Sequence, residues 1–141
     1  MLFRSNQTKI NQRSRFLRKS SKTRQLVEIE KSEFLISFTS VPNRFKTLPL
    51  VVESLTRQEL PAKEIHLNLA HQDFSDLPSS IRATLEQSKV KIFSVDDWGP
   101  AKKLVPTLQR SDLPVICVDD DLVYKPTLTR SEEHTSELQS H

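Results

Sequence analysis

Pro114-Val115-Ile116-Cys117-Val118-Asp119-Asp120-Asp121-Leu122-Val123-Tyr124 is the stretch on which the fold turns. Its apolar run, Val115 to Val118, is short and rich in β-branched residues, the pattern of a strand buried on both faces. Three carboxylates follow it directly. Like charges at a strand terminus repel and desolvate badly, so they require water, a cation or a function beside them. Side chains alternate along a strand, which puts Asp119 and Asp121 on one side and Asp120 on the other. Two carboxylates on one side form a hard-oxygen site suited to Mg²⁺ or Mn²⁺. A solvated acidic turn is the plainer reading of three aspartates taken alone.

Working back from this strand, the chain alternates. Phe34 to Phe38 reads as a strand emptying into the polar loop Thr39 to Arg44, where Pro42 and Asn43 favour a turn. Between Arg44 and Gln58, Leu48, Val51, Val52 and Leu55 share one helical face, with Pro49 tolerable only in a first turn. Glu64 to Leu69 is a second strand in which Ile65, Leu67 and Leu69 alternate with His66 and Asn68, so His66 is expected to be half-exposed. Ala70 to Asp73 is expected to be a loop, with His71 just past the strand end. A helix from Ser79 to about Ser88, a strand from Val90 to Val95, the loop Asp96 to Gly99 and a short helix from Ala101 through Leu108 complete the order. Strand-helix alternation with short connections predicts an α/β domain: a mostly parallel sheet with helices on both faces. Ligands of such sheets gather at the carboxyl ends of the strands. The loops at 39–44, 70–73, 96–99 and 119–121 all fall at that edge.

A chain of 141 residues fits one domain. Its net charge of +3 is uneven: Met1 to Arg24 carries eight Lys or Arg and no acid, leaving a net −5 on the rest. This basic arm, residues 6–31 with its flank, has too little apolar surface to offset its ordering entropy and is expected to be disordered. An anionic membrane surface is a partner it could meet; nucleic acid is not the expected partner, because no aromatics beyond Phe16 interleave the basic residues. Gln25 to Glu30 has the alternation of a short edge strand. Cys117 is the single cysteine, which excludes intrachain disulfides and multi-thiolate metal sites. No apolar run reaches the length of a bilayer span.

Both ends look foreign to the domain. Arg130 to Gln139, RSEEHTSELQ, resembles the in-frame translation of a common sequencing-library adapter, and Met1 to Ser5 resembles the opposite adapter. Residues 1–5 and 130–141 are therefore set aside from fold reasoning. The expected domain is residues 32–129, part of a protein expected to continue in both directions.

Gly99 is the one glycine in the chain. Dinucleotide folds and phosphate-binding loops wrap a pyrophosphate with backbone N–H groups, and that close approach needs several glycines. A nucleotide diphosphate bound here must be met by a metal or by Lys and Arg side chains. The acids at 119–121 and Arg44, Lys102 and Lys103 supply those means.

Ser37 to Phe45 (SFTSVPNRF), Ser54 to Gln58 (SLTRQ), Asp97 to Pro106 (DWGPAKKLVP) and Val118 to Asp121 with Tyr124, in this order, resemble bacterial glycosyltransferases of the GT-A type, related to glycosyltransferase family two. The resemblance implies the N-terminal, nucleotide-binding half of a Rossmann-like GT-A fold. It implies a nucleotide-diphospho-sugar donor, a glycan or lipid-linked acceptor, a Mn²⁺ or Mg²⁺ cofactor, and a cytoplasmic, membrane-associated setting in polysaccharide biosynthesis. The loop Thr39 to Arg44 would line the nucleoside pocket, and Asp96 or Asp97 would bond the base or ribose. Lys103 takes the lysine place of a GPA-x-K pattern near the phosphates, while Lys102 departs from the family's usual threonine. Asp119 and Asp121 match the DXD motif on ribose and metal. The general base would come from beyond Thr129, so no catalytic base is named.

Two other classes fit part of the pattern. VICVDDDLV is also similar to the nucleophile motif of haloacid-dehalogenase-like phosphatases, with Asp119 as nucleophile and Asp121 as acid/base, although three strand-helix units precede it here. The non-enzymatic alternative is a binding fragment whose basic arm engages its partner while the aspartates are merely solvated.

Overall fold

The computed structural model describes Leu2–Phe3 and residues 33–132. The basic arm, the Gln25 to Glu30 strand expectation and most of the adapter-like tail lie outside the described residues. Five strands form one sheet: β1 (Leu2–Phe3), β2 (Leu35–Thr39), β3 (Glu64–Ala70), β4 (Val90–Val95) and β5 (Val115–Cys117), in spatial order β1-β5-β2-β3-β4. β5, β2, β3 and β4 are mutually parallel, and Leu2–Phe3 pairs antiparallel with Ile116 and Val115. The register sets Ile36 beside both Ile65 and Ile116, and Ser37 beside His66 and Cys117. The domain is α/β, as the alternation predicts, and consistent with a Rossmann-like arrangement.

One face of the sheet is apolar. Ile36, Phe38, Ile65, Leu67, Leu69 and Ile116 pack into a single cluster with Leu48, Val51, Val52 and Leu55 of α1 (Leu48–Thr56) and with Leu85 of α3 (Ser79–Gln87). Each buried side chain of this kind contributes about 1.5–3 kcal/mol relative to exposure. Pro49 falls in the first turn of α1, where its missing N–H would have no intrahelical partner in any case. A 3-10 turn, Pro42–Thr47, leads into that helix. α3 ends at Gln87, and Lys89, with φ 66°, takes the left-handed position that glycine often fills after a helix.

The opposite face carries Ser37, His66 and Asn68, all buried, beneath a 3-10 helix (Gly99–Lys103) and α4 (Val105–Arg110). The expectation of a half-exposed His66 is corrected: the residue is 3% exposed. Strict alternation of apolar and polar residues in β3 arises because the second face is also covered, by a polar network in place of solvent. Ser37 Oγ bonds Thr107 Oγ1 at 2.7 Å and donates to the Lys103 carbonyl, while Asn68 Nδ2 donates to the Lys102 carbonyl at 2.8 Å. Each buried polar group thereby finds a partner. A second correction concerns Ala70 to Asp73, expected to be a loop: Ala70 ends β3 and a short helix, α2 (His71–Asp76), follows at once. Thr129 is fully buried, donating from Oγ1 to the Leu60 carbonyl and from its N–H to Gln58 Oε1, whereas Arg130 beside it is exposed.

Candidate functional site

The carboxyl ends of the parallel strands enclose a pocket of about 340 Å³. Thr39, Ser40, Val41 and Arg44 line it from the loop after β2. Gly99, Pro100, Lys102 and Lys103 line it from the 3-10 helix, and Val118, Asp119 and Asp120 from the end of β5. Thus Thr39, Arg44, Lys103 and Asp119, four residues singled out from sequence, meet in one cavity. Asp96, Asp97 and Asp121 do not line it.

β5 stops at Cys117, although the Val118 N–H still donates to the Ser37 carbonyl at 3.1 Å. The aspartates therefore leave the ladder as a turn, and their environments separate. Asp120 is 4% exposed; its carboxylate accepts from Ser40 Oγ at 2.6 Å and from Arg44 Nη1 at 3.0 Å. Its backbone carbonyl accepts from Thr47 Oγ1 at 3.1 Å. Asp119 and Asp121 stay exposed, whereas Asp120 is buried; because the three have left the strand, its period-two alternation does not govern them. Asp119 meets Lys103 Nζ at 3.4 Å, and its N–H donates to the Tyr124 hydroxyl at 2.8 Å. Burial raises the Tyr124 phenol above its ordinary value, so it serves as a neutral acceptor.

The second wall is built on Lys102, whose side chain is only 7% exposed. Its ammonium donates to Asp97 Oδ1 at 2.8 Å and to the Gly99 carbonyl at 3.0 Å. Asp97 Oδ1 also accepts the Gly99 N–H at 3.1 Å. These bonds from Lys102 and Gly99 hold the Asp97 carboxyl below the usual carboxylate range. Gly99 sits at φ +60°, a conformation that side chains rarely adopt, which gives the chain's single glycine its place. Lys103, the next residue, points to the pocket with Asp119. Asp96 belongs to a neighbouring exposed set: His71 Nε2 lies 3.0 Å from Asp96 Oδ1 and His71 Nδ1 lies 2.5 Å from Ser94 Oγ.

Sequence reasoning did not foresee the anchoring role of three of these residues. Ser40 and Asp120 are an anchor for the loop after β2, and Lys102 is an anchor for the loop after β4. The partners of Asp120 are 76 and 80 residues distant in the chain, beyond the reach of local spacing. Cys117 is partly buried, and burial pushes its thiol up to about 11, which removes it as a nucleophile.

Carboxylate oxygens are the hard donors that a divalent ion of the Mg²⁺ type takes. Asp119 and Asp121 offer exposed carboxylate oxygens, while Asp120 is committed to Ser40 and Arg44. Among the described residues, no group of three or more His, Cys, Asp or Glu forms a complete metal cage. Mg²⁺-type ions are commonly held by one or two carboxylates plus water and substrate phosphates. No helix among the described residues is long and apolar enough to cross a membrane. In comparisons with known proteins, no family model and no curated protein matches the chain.

Proposed function

We propose that the chain is the nucleotide-binding half of a GT-A-type glycosyltransferase, binding a nucleotide-diphospho-sugar at the carboxyl edge of the sheet. The observation that carries this reading is the convergence of Thr39, Arg44, Lys103 and Asp119 in one cavity on a parallel α/β sheet with no glycine-rich phosphate loop. Lys103 and Arg44 would meet the negative charge of the diphosphate, a task that backbone N–H groups perform in glycine-rich loops. Thr39 and the loop fastened by Asp120 would position the nucleoside, with Asp97 held ready by Lys102 to accept a hydrogen bond from base or ribose. Asp119 and Asp121 would hold Mn²⁺ or Mg²⁺. Bound there, the ion would act as a Lewis acid on the departing nucleoside diphosphate.

The role of Lys103 follows from its present partner. It sits against Asp119 across 3.4 Å in an exposed pair, which is weak in water and easily exchanged. Diphosphate arrival would draw Lys103 away and free Asp119. Acceptors of glycan or lipid-linked type, handled on the cytoplasmic side of a membrane, complete the reading by resemblance.

Calorimetry tests it. UDP and GDP are titrated into the full chain with and without Mn²⁺, on the wild type and on Asp121→Ala. The reading predicts affinity that rises with Mn²⁺ in the wild type and loses that gain in Asp121→Ala. Affinity indifferent to both would refute the assigned site. A phosphoaspartate formed on Asp119 would instead establish phosphatase chemistry.

A further inference from the structure

The amino-terminal edge of the same sheet carries a second pocket, of about 350 Å³, which shares no lining residue with the first. His66, Phe93, Arg110 and Ser111 line it, with Lys63, Lys91 and one carboxylate, Glu64, alongside. Arg110 is exposed to solvent yet fixed in place. Its Nη1 donates to His66 Nδ1 at 2.5 Å, its Nη2 donates to Asn68 Oδ1, and its Cζ lies 3.4 Å from the centroid of the Phe93 ring. His66 is itself set by a bond from Nε2 to Glu64 Oε1 at 2.8 Å, which puts its proton on Nε2 and leaves Nδ1 as an acceptor.

The partners differ in kind. Lys63 pairs with Glu33 at 2.8 Å and Lys91 with Glu64 at 2.8 Å. Arg110 has no carboxylate partner among the described residues; it is held by an imidazole, an amide oxygen and a ring face, none of which neutralises it. Immobilising a guanidinium costs side-chain entropy, and here that cost leaves a full positive charge at a solvent-open pocket. A guanidinium fork held rigid presents its remaining N–H groups to a planar or tetrahedral oxyanion in bidentate fashion. Ser111 adds a hydroxyl: its Oγ accepts from the Leu113 N–H at 3.1 Å, leaving its own O–H to donate.

We infer that this pocket is an oxyanion site, separate from the carboxyl-edge site, which takes a carboxylate or phosphate group through Arg110 and Ser111. The inference stands without the glycosyl-transfer reading, because none of its residues belongs to that site. Phosphate and malonate serve as probes, titrated separately into the full chain while NMR follows the His66 ring and the Arg110 side-chain N–H signals. Saturable shifts at His66, Arg110 and Ser111 are expected, and the tighter anion identifies the group as phosphate or carboxylate. Arg110→Gln is expected to weaken binding at least about tenfold, equivalent to 1.4 kcal/mol. Arg110→Lys, which keeps the charge and loses the fork, is expected to weaken it as well, whereas Lys103→Gln is expected to bind as the wild type does. Full retention in Arg110→Lys, or loss in Lys103→Gln, would overturn the assignment. So would wild-type His66 and Arg110 signals that stay still up to saturating anion, a result that depends on no variant folding.

Discussion

The two ends of one parallel sheet handle charge in opposite ways. At the carboxyl edge, charged residues are themselves the anchors: Asp120 and Lys102 are buried, and their bonds fix the loops that leave Asp119, Asp121 and Lys103 open to solvent. At the amino edge, neutral groups are the anchors, with His66 and Asn68 buried and holding Arg110 at the surface. The difference teaches that neighbouring residues of the same type are not equivalent. Within Asp119-Asp120-Asp121 and within Lys102-Lys103, one member maintains the site and the other is free to act.

The largest effect should separate the aspartates. Asp120→Ala removes the acceptor of Ser40 and Arg44 and is expected to cost about 2–3 kcal/mol in urea unfolding. Asp121→Ala, exposed and outside the anchor, should stay within about 0.5 kcal/mol of the wild type. Equal costs would erase the distinction between anchor and free acid. The lysines sharpen it on a smaller scale. Lys102→Met is expected to lose about 1–2 kcal/mol through its bonds to Asp97 and Gly99, while Lys103→Met should change thermal stability little and weaken UDP binding. The reverse ranking would exchange their roles.

The smallest effect belongs to the amino edge and to acid. Burial lowers the pKa of His66 below its ordinary 6.5, with Arg110 and Lys91 acting in the same direction and Glu64 opposing. The unfolded chain then binds this proton more readily than the folded one. The stability that His66 contributes is therefore complete above about 6.5 and declines as pH falls through that value toward the depressed one. Glu64, Lys91, Arg110 and Phe93 are the groups that face it. His66→Gln should flatten unfolding free energy against pH in this window; an unchanged slope would show that the imidazole is not the titrating group.

The sheet was legible because each parallel strand is a short apolar run with a helical period after it. Pro49 in a first turn and the left-behind polar loops followed from local chemistry alone. His66 was misread because alternation has two causes, solvent on one face or a covering polar layer, and only tertiary packing distinguishes them. A signal was present: Ser37, His66 and Asn68 share one face of adjacent strands, too many polar groups for an apolar cover and too central for open solvent. α2 escaped notice because six residues with no buried member carry no periodic stripe. At the candidate site, Thr39, Arg44, Lys103 and Asp119 were named through the family resemblance, whereas Asp120 and Lys102 act through partners that neither resemblance nor spacing reveals.

The central claim is that a divalent ion and a nucleotide diphosphate meet at the carboxyl edge. Paramagnetic broadening by Mn²⁺, measured on backbone amides in the presence of UDP, locates the ion directly. The account predicts loss of signal at Asp119, Asp120, Asp121 and Lys103, with Phe93 and Arg110 at the far edge retained. Broadening centred on the far edge, or none that UDP enhances, would contradict it.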